Sequence, residues 1–450
     1  MKINLELDYR TILANQARPV HFALQFQADS IANPRPKPAA FCVVLDRSGS
    51  MEGKPLVHAK EAARVAIRNL RREDYFGLVV FESTAQVVIP LQQCQARQPF
   101  IDLVNKLTTA GSTNLTAGWM LGRDELKKAP ADASRRLLLL SDGLFNVGIV
   151  EPVQVRQIVA SGLEADSIRT SSLGFGDSYD EKLLADLASA TNGQFYDADS
   201  AEKLPGIFAQ ELDGLQRLAV QNLRVRFKKL DFCESFELLS DYPRIELPDG
   251  RKEFAVGDLV SDEERILCFA LEVLPLPSVQ GKPVVSLEGE KLAELELLYD
   301  EITDSGITSK TQQQIVRIQA TPNPDDVRVN ETVLGWVAMQ QAGLTIKRVT
   351  DEISGGNQDK ALAILEQAIR YVAQHGSSEK VGPAMQMLRE LLDHIELGTL
   401  SARHMKMHKS REYYSRKSSS RLPPGYHLPS APQPPLPPKD PGSPSSGPVA

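Results

Sequence analysis

Five oxygen-bearing side chains on three loops carry the most specific chemistry in the sequence. In Asp46-Arg47-Ser48-Gly49-Ser50, one carboxylate and two hydroxyls crowd into five residues, and Gly49 permits a tight turn. A second loop, Gly111-Ser112-Thr113-Asn114-Leu115, offers the Thr113 hydroxyl ahead of a predicted helix. A third, Ser141-Asp142-Gly143, follows the apolar run RRLLLL and offers another carboxylate. An all-oxygen donor set suits a hard cation such as Mg²⁺ and suits zinc or copper poorly. Taken singly, Thr113 also reads as a helix N-cap and Asp142 as a turn residue. Their joint occurrence, in this order on these elements, is what chance does not readily produce.

The elements that must position these loops alternate from Ala39 to about Gln216. FCVVLD is apolar throughout, as a strand covered on both faces requires. KPLVHAKEAARVAIRNL reads as a helix with Pro55 in its first turn and Leu56, Ala59, Ala63, Ala66, Ile67 and Leu70 on one face. YFGLVVFES and AQVVIP form a hairpin-like pair, and helices from about Arg97 and Asn114 lead to RRLLLL. A helix near Val153–Leu163, the strand SIRTSSLGFG, a helix from Tyr179, the strand QFYDAD and the helix AEKLPGIFAQELDGL complete the series. Such alternation gives a largely parallel sheet with helices on both faces, whose ligand sites lie at strand ends by the topological switch point.

This combination resembles the von Willebrand factor type A (vWA) domain and its metal-ion-dependent adhesion site, the MIDAS. The family pattern is D-x-S-x-S after the first strand, a G-G-T loop before a later helix, and T/S-D-G after the fourth strand. Here these stand as Asp46, Ser48 and Ser50; Thr113; and Asp142, with Ser112 where the family usually has a second glycine. The resemblance covers about residues 39–216 and implies a Rossmann-like fold. It also implies that Ser48 and Ser50 coordinate the metal directly, Thr113 directly or through water, and Asp46 and Asp142 largely through water. The implied metal is Mg²⁺, with Mn²⁺ or Ca²⁺ as alternatives. Neutral hydroxyls leave such a dication electron-poor, so an Asp or Glu carboxylate from a partner protein can complete its shell. In related domains, ligation couples to movement of the final helix, here roughly Ala201–Gln216.

The flanks follow a different pattern. In residues 1–38, Ile3, Leu5 and Leu7, then Val20, Phe22, Leu24 and Phe26, alternate with polar or small residues, as strands with one buried face do. Residues 217–315 again read as strands. Two N-terminal strands are marginal alone, so the α/β unit is expected to be inserted in a β-sandwich, with two separate β units as the alternative. Residues 316–400 read as an antiparallel helical bundle. Residues 401–450 carry eight Lys and Arg against two acids and include the proline-rich run PSAPQPPLPPKDPGSP. That composition is expected to be disordered, and its PPLPPK matches the polyproline pattern an SH3-like partner reads.

Several function classes are excluded. The 450 residues carry a net charge of −7, an unfavourable balance for a nucleic-acid binder. No apolar run approaches the roughly 18 residues of a membrane span, and the acidic MKINLELDYR is unlike a secretory signal. GSMEGKP lacks the length and the Ser/Thr of a P-loop, and Gly174-Phe175-Gly176 lacks a dinucleotide-binding third glycine. His404 and His408 have helical spacing without the glutamate of a zinc protease, and no Ser/His/Asp set emerges. Cys42, Cys94, Cys233 and Cys268 are widely spaced and read as buried thiols. The sequence therefore predicts a cytoplasmic, non-enzymatic, metal-dependent protein-interaction module, similar to cytosolic vWA adaptors of bacterial type. The alternative is a regulatory subunit of a larger enzyme machine, as in chelatase- and AAA+ ATPase-associated vWA proteins. An extracellular adhesin is the third and least favoured reading.

Overall fold

The computed structural model describes residues 1–30, 38–279, 282–283, 289–303, 306–375, 378–424 and 426–428. Three short strands come first: β1 (Lys2–Leu7), β2 (Thr11–Leu13) and β3 (Arg18–Gln27). The α/β unit opens with β4 (Ala39–Asp46), α1 (Lys54–Asn69), β5 (Tyr75–Phe81), β6 (Ala85–Gln93), α2 (Arg97–Asn105) and α3 (Leu115–Leu126). It continues through β7 (Ser134–Ser141), α4 (Pro152–Asp166), β8 (Arg169–Phe175), α5 (Glu181–Ala190), β9 (Phe195–Ala198) and α6 (Leu204–Gln216).

Its sheet has the order β6-β5-β4-β7-β8-β9, parallel except for the β5–β6 hairpin. β4 is buried at every position, as its apolar run requires. Phe41, Val43 and Leu45 face one helical layer, with Ala59, Ala63 and Ile67 of α1 and Phe208 of α6. Ala40, Cys42 and Val44 face the other, with Trp119 of α3 and Leu184 of α5. The chain leaves β4 for β5 on one side and returns to β7 on the other, so the switch point lies at the C-terminal ends of β4 and β7.

Beyond Gln216 come β10 (Leu218–Lys229), β11 (Cys233–Leu238), β12 (Arg244–Glu246), β13 (Lys252–Val260) and β14 (Glu264–Val273). The two-residue strands β15 (Ser278–Val279) and β16 (Lys282–Pro283) precede β17 (Glu290–Thr303) and β18 (Gly306–Thr321). Two sheets result, β1-β3-β14-β11 and β12-β13-β10-β17-β18-β2. The N-terminal strands thus pair across the α/β unit: β3 runs antiparallel to β14, and β2 runs parallel to the end of β18. In the sandwich core, Phe22 stacks on its cross-strand neighbour Phe269 at 4.7 Å, and Phe227 of one sheet stacks on Phe236 of the other at 3.9 Å.

Four helices follow: α7 (Glu331–Ser354), α8 (Gln358–His375), α9 (Ser378–Glu396) and α10 (Ala402–Lys417). Two expectations are corrected here. The helical part does not begin at 316, because β18 continues to Thr321, paired with β17 as far as Ile318 and then with β2. Its first half is exposed on both faces, and only Val316, Ile318 and Ala320 alternate with Arg317 and Gln319, too short a run to stand out in the sequence. Residues 401–450 are not disordered throughout: 402–417 form α10, capped by Ser401, with Tyr413 and Tyr414 buried. Lys406, Lys409, Glu412 and Arg416 of this helix are also buried, and charged partners satisfy them. The PPLPPK run lies outside the described residues. All four cysteines are free and buried, as expected. No helix among the described residues is long and apolar enough to cross a membrane.

Candidate metal centre

β4 ends at Asp46 and β7 at Ser141, adjacent strands in one sheet, so the two carboxylate-bearing turns start side by side. Asp46 is fully buried. Its Oδ1 accepts from the Ser48 backbone N–H at 2.8 Å, and its Oδ2 accepts from the Ser141 hydroxyl at 2.8 Å. The first bond tightens the turn and aims Ser48 and Ser50 together, with their hydroxyls 3.1 Å apart. Ser50 then donates to Asp142 Oδ1 at 2.7 Å. Four of the five predicted residues therefore form one continuous hydrogen-bonded chain.

Thr113 joins through its loop. Gly49 N–H donates to Gly111 C=O at 3.3 Å, and Ala110 N–H donates to Arg47 C=O at 2.8 Å, tying the second loop to the first. Thr113 is buried, its N–H donates to Asn146 Oδ1 at 3.2 Å, and its hydroxyl makes no hydrogen bond among the described residues. The α3 N-cap is Asn114, not Thr113: the Asn114 side chain accepts from Ala117 N–H, which leaves the Thr113 hydroxyl for other work. Left-handed backbone in this loop falls on Gly111 (φ 60°), where a Cβ would run into the Glu82 carboxylate. Ser112 is not at positive φ, so a serine there is unstrained.

The electrostatics of the cluster are unbalanced. Burial raises the Asp46 carboxyl, against the bonds from Ser48 and Ser141. Burial likewise pushes Asp142 up to about 6, against the Ser50 bond, and the nearby Asp46 charge adds to the rise. Among the described residues no Lys, Arg or His makes an ion pair with either carboxylate. Two buried carboxylates bridged by hydroxyls and without a cationic neighbour form a donor set that a divalent cation would neutralise. The residues present therefore fit such an ion.

Sequence reasoning missed three supporting residues. Ser141 holds Asp46, Asn146 holds Thr113, and Glu82 receives Asn114 N–H through its backbone carbonyl at 2.7 Å. Only Ser141 left a signal, a hydroxyl beside Asp142. The excluded histidines also resolve: His404 stacks on His394 at 4.0 Å, and His408 is buried against it. Among the described residues no group of three or more His, Cys, Asp and Glu is arranged to hold a metal.

Residues 42–210 match the von Willebrand factor type A domain. An uncharacterised protein of Synechocystis is 24% identical over 368 residues, covering 78% of this chain and 82% of that protein. Inter-alpha-trypsin inhibitor heavy chain H1 of Bos taurus is 30% identical over 190 residues, 39% of this chain; the match spans only 20% of the heavy chain's own length. Among solved structures, a von Willebrand factor type A protein from Catenulispora acidiphila superposes with a TM-score of 0.70 at 20% identity, covering 93% of this chain and 97% of that one. The ArnB paralog VWA2 of Sulfolobus acidocaldarius superposes with a TM-score of 0.59 at 14% identity, covering 92% and 98%. Both likenesses run through the flanking units as well and concern the fold alone.

Proposed function

Taking residues 42–210 as a von Willebrand factor type A domain, we propose that the protein binds a partner protein through a divalent cation held by Asp46, Ser48, Ser50, Thr113 and Asp142. It acts by binding, not by catalysis. Mg²⁺ is the preferred ion, with Mn²⁺ or Ca²⁺ as alternatives; when bound, it supplies an electron-poor centre to which a partner's Asp or Glu carboxylate adds. The supporting observation is the continuous chain from Asp46 through Ser48 and Ser50 to Asp142, two buried carboxylates with which no cationic side chain among the described residues makes an ion pair. Asp46 fixes the turn, Ser141 fixes Asp46, and Asn146 fixes Thr113, so the donors are held before any ligand arrives. Four buried free thiols are compatible with a cytoplasmic setting.

The test is direct Mn²⁺ binding by the full chain, read by electron paramagnetic resonance, beside Asp46→Ala combined with Ser48→Ala. Loss of at least about tenfold in affinity, some 1.4 kcal/mol, with circular dichroism unchanged, is the expected result. Equal affinity in the folded double variant would defeat the reading.

A further inference from the structure

Thirteen large hydrophobic side chains are markedly exposed among the described residues, and four of them fall within the ten residues from Leu144 to Val153. Scattered exposed apolar residues are ordinary, whereas a group of them on one segment marks a contact surface. Leu144 is 63% exposed, Ile149 38%, Val150 44% and Val153 61%. The segment begins two residues after Asp142, and a Cβ on the intervening Gly143 would stand only 3.4 Å from Ser50 Oγ. Leu144 therefore emerges beside the candidate metal centre, and the backbone carbonyl of Ile149 is tied to Thr116, three residues beyond Thr113.

They are also held in place. Asn146 and Val147 N–H donate to Thr113 C=O at 3.1 and 3.3 Å, and Thr116 Oγ1 donates to Ile149 C=O at 2.7 Å. Gly148 takes positive φ against Asn114, where a Cβ would meet the amide at 2.5 Å. Phe145, by contrast, is partly buried and packs against the hydrophobic core that includes Leu115, Trp119 and Val155. A loop fixed by its backbone with apolar side chains outward needs little ordering when a partner arrives. The one charge between Leu144 and Val155 is Glu151. It repels a second acid above the loop and leaves apolar contact as what this surface offers.

Resting on the metal-dependent reading above, we propose that the 144–153 loop is a specificity shelf. It selects partner segments in which a single Asp or Glu is flanked by a large apolar side chain, and it disfavours acidic runs. The carboxylate goes to the cation and the flanking side chain lies over Leu144, Ile149 and Val150. The chemistry needed is present in two adjacent parts, one electrostatic and one apolar.

The test uses the full chain in Mn²⁺ with three capped, fluorophore-labelled peptides read by anisotropy: Gly-Leu-Glu-Leu-Gly, Gly-Ser-Glu-Ser-Gly and Gly-Leu-Gln-Leu-Gly. The Leu-Glu-Leu peptide is expected to bind about tenfold or more tightly than the serine version, from apolar burial, and the glutamine version to bind far more weakly. Leu144→Ser with Val150→Ser should erase the leucine preference and leave Mn²⁺ affinity unchanged. If Mn²⁺ binds but the leucine and serine peptides bind alike, the shelf proposal falls and the metal reading stands. The shelf falls equally if the leucine peptide fails to bind or the double variant keeps the preference. Equal binding of the glutamine peptide would remove the carboxylate from the partner's description and overturn the proposal. Absence of Mn²⁺ binding would remove both.

Discussion

Asp46 and Asp142 sit at the two ends of one chain of hydroxyls, yet their burdens differ. Asp46 accepts two hydrogen bonds that shape the turn, from Ser48 N–H and Ser141 Oγ. Asp142 accepts one, from Ser50, and its carboxyl is raised to about 6, mainly by burial. Asp142→Asn keeps the shape and removes one of two uncompensated buried charges. In EDTA its melting temperature should equal or exceed that of the wild type. Mg²⁺ should raise the wild-type melting temperature by linkage, about 2.7 kcal/mol when the ion is at a hundred times its Kd, and should leave Asp142→Asn where it was. Differential scanning fluorimetry with and without Mg²⁺ decides this. A variant destabilised equally in both conditions would mean that Asp142 is only a structural turn residue. The five oxygen donors were legible because each stands at a strand end or helix start within a short motif. Asn146 and Glu82 were not, since they act through bonds to loops 33 and 32 residues away in sequence, at Thr113 and Asn114.

At the scale of elements, α3 matters most to the centre, because it begins directly after Thr113 and Asn114. It lies close on the sheet through Gly118 and Gly122. A Cβ at Gly118 would come within 2.6 Å of Phe81, and one at Gly122 within 2.5 Å of the Val44 side chain. On helix propensity alone Gly122→Ala should gain roughly 1 kcal/mol. The crowding against β4 should outweigh this, at about 1–3 kcal/mol for overpacking. Urea denaturation should therefore show a net loss and, with α3 displaced, weaker Mn²⁺ binding; a stabilised variant would mean that the sheet yields easily. Strands β4 and β7 and helix α1 were legible for the usual physical reasons, continuous apolar runs for the strands and an i, i+3, i+4 face for the helix. α10 was not, because the residues it buries include Lys406, Lys409, Glu412 and Arg416. Lys409 and Arg416 share Glu412 within the helix, whereas Lys406 reaches Glu181 of α5 and Arg416 also reaches Asp241, partners far away in sequence. A helix that buries paired charges looks, in sequence, like a solvated tail.

For the whole molecule, the segment from Ala402 to Leu428 joins what the first 400 residues build separately. Arg403 grips Asp197 of the α/β unit with two bonds of 2.8 Å, Tyr413 donates to Gly193 C=O, and Ile266 N–H of the sandwich donates to Ser418 C=O. Leu422 and Arg421 hold Gln210 of α6, the last helix of the α/β unit. On the side of the helical unit, His408 lies buried with its Nε2 3.0 Å from His394 Nδ1, and its own Nδ1 has no partner among the described residues. Burial, the Arg411 cation, and His394 and His404 push His408 down to about 3, against the acidic neighbour Glu390. An unfolded histidine titrates near 6.5, so below that pH the unfolded chain takes up a proton that the native state refuses. Native stability attributable to this site is thus complete above about pH 6.5 and declines as pH falls toward 3. The loss is about 1.4 kcal/mol per unit, some 2 kcal/mol at about pH 5. His408→Gln removes the titration. Its denaturation free energy should fall less steeply with acid than that of the wild type, so that the gap between the two narrows by about 2 kcal/mol between about pH 7.5 and pH 5. Parallel pH profiles would show that His408 is not buried as a neutral ring, and that α10 is not docked against α9 in the way that lets it hold the units together.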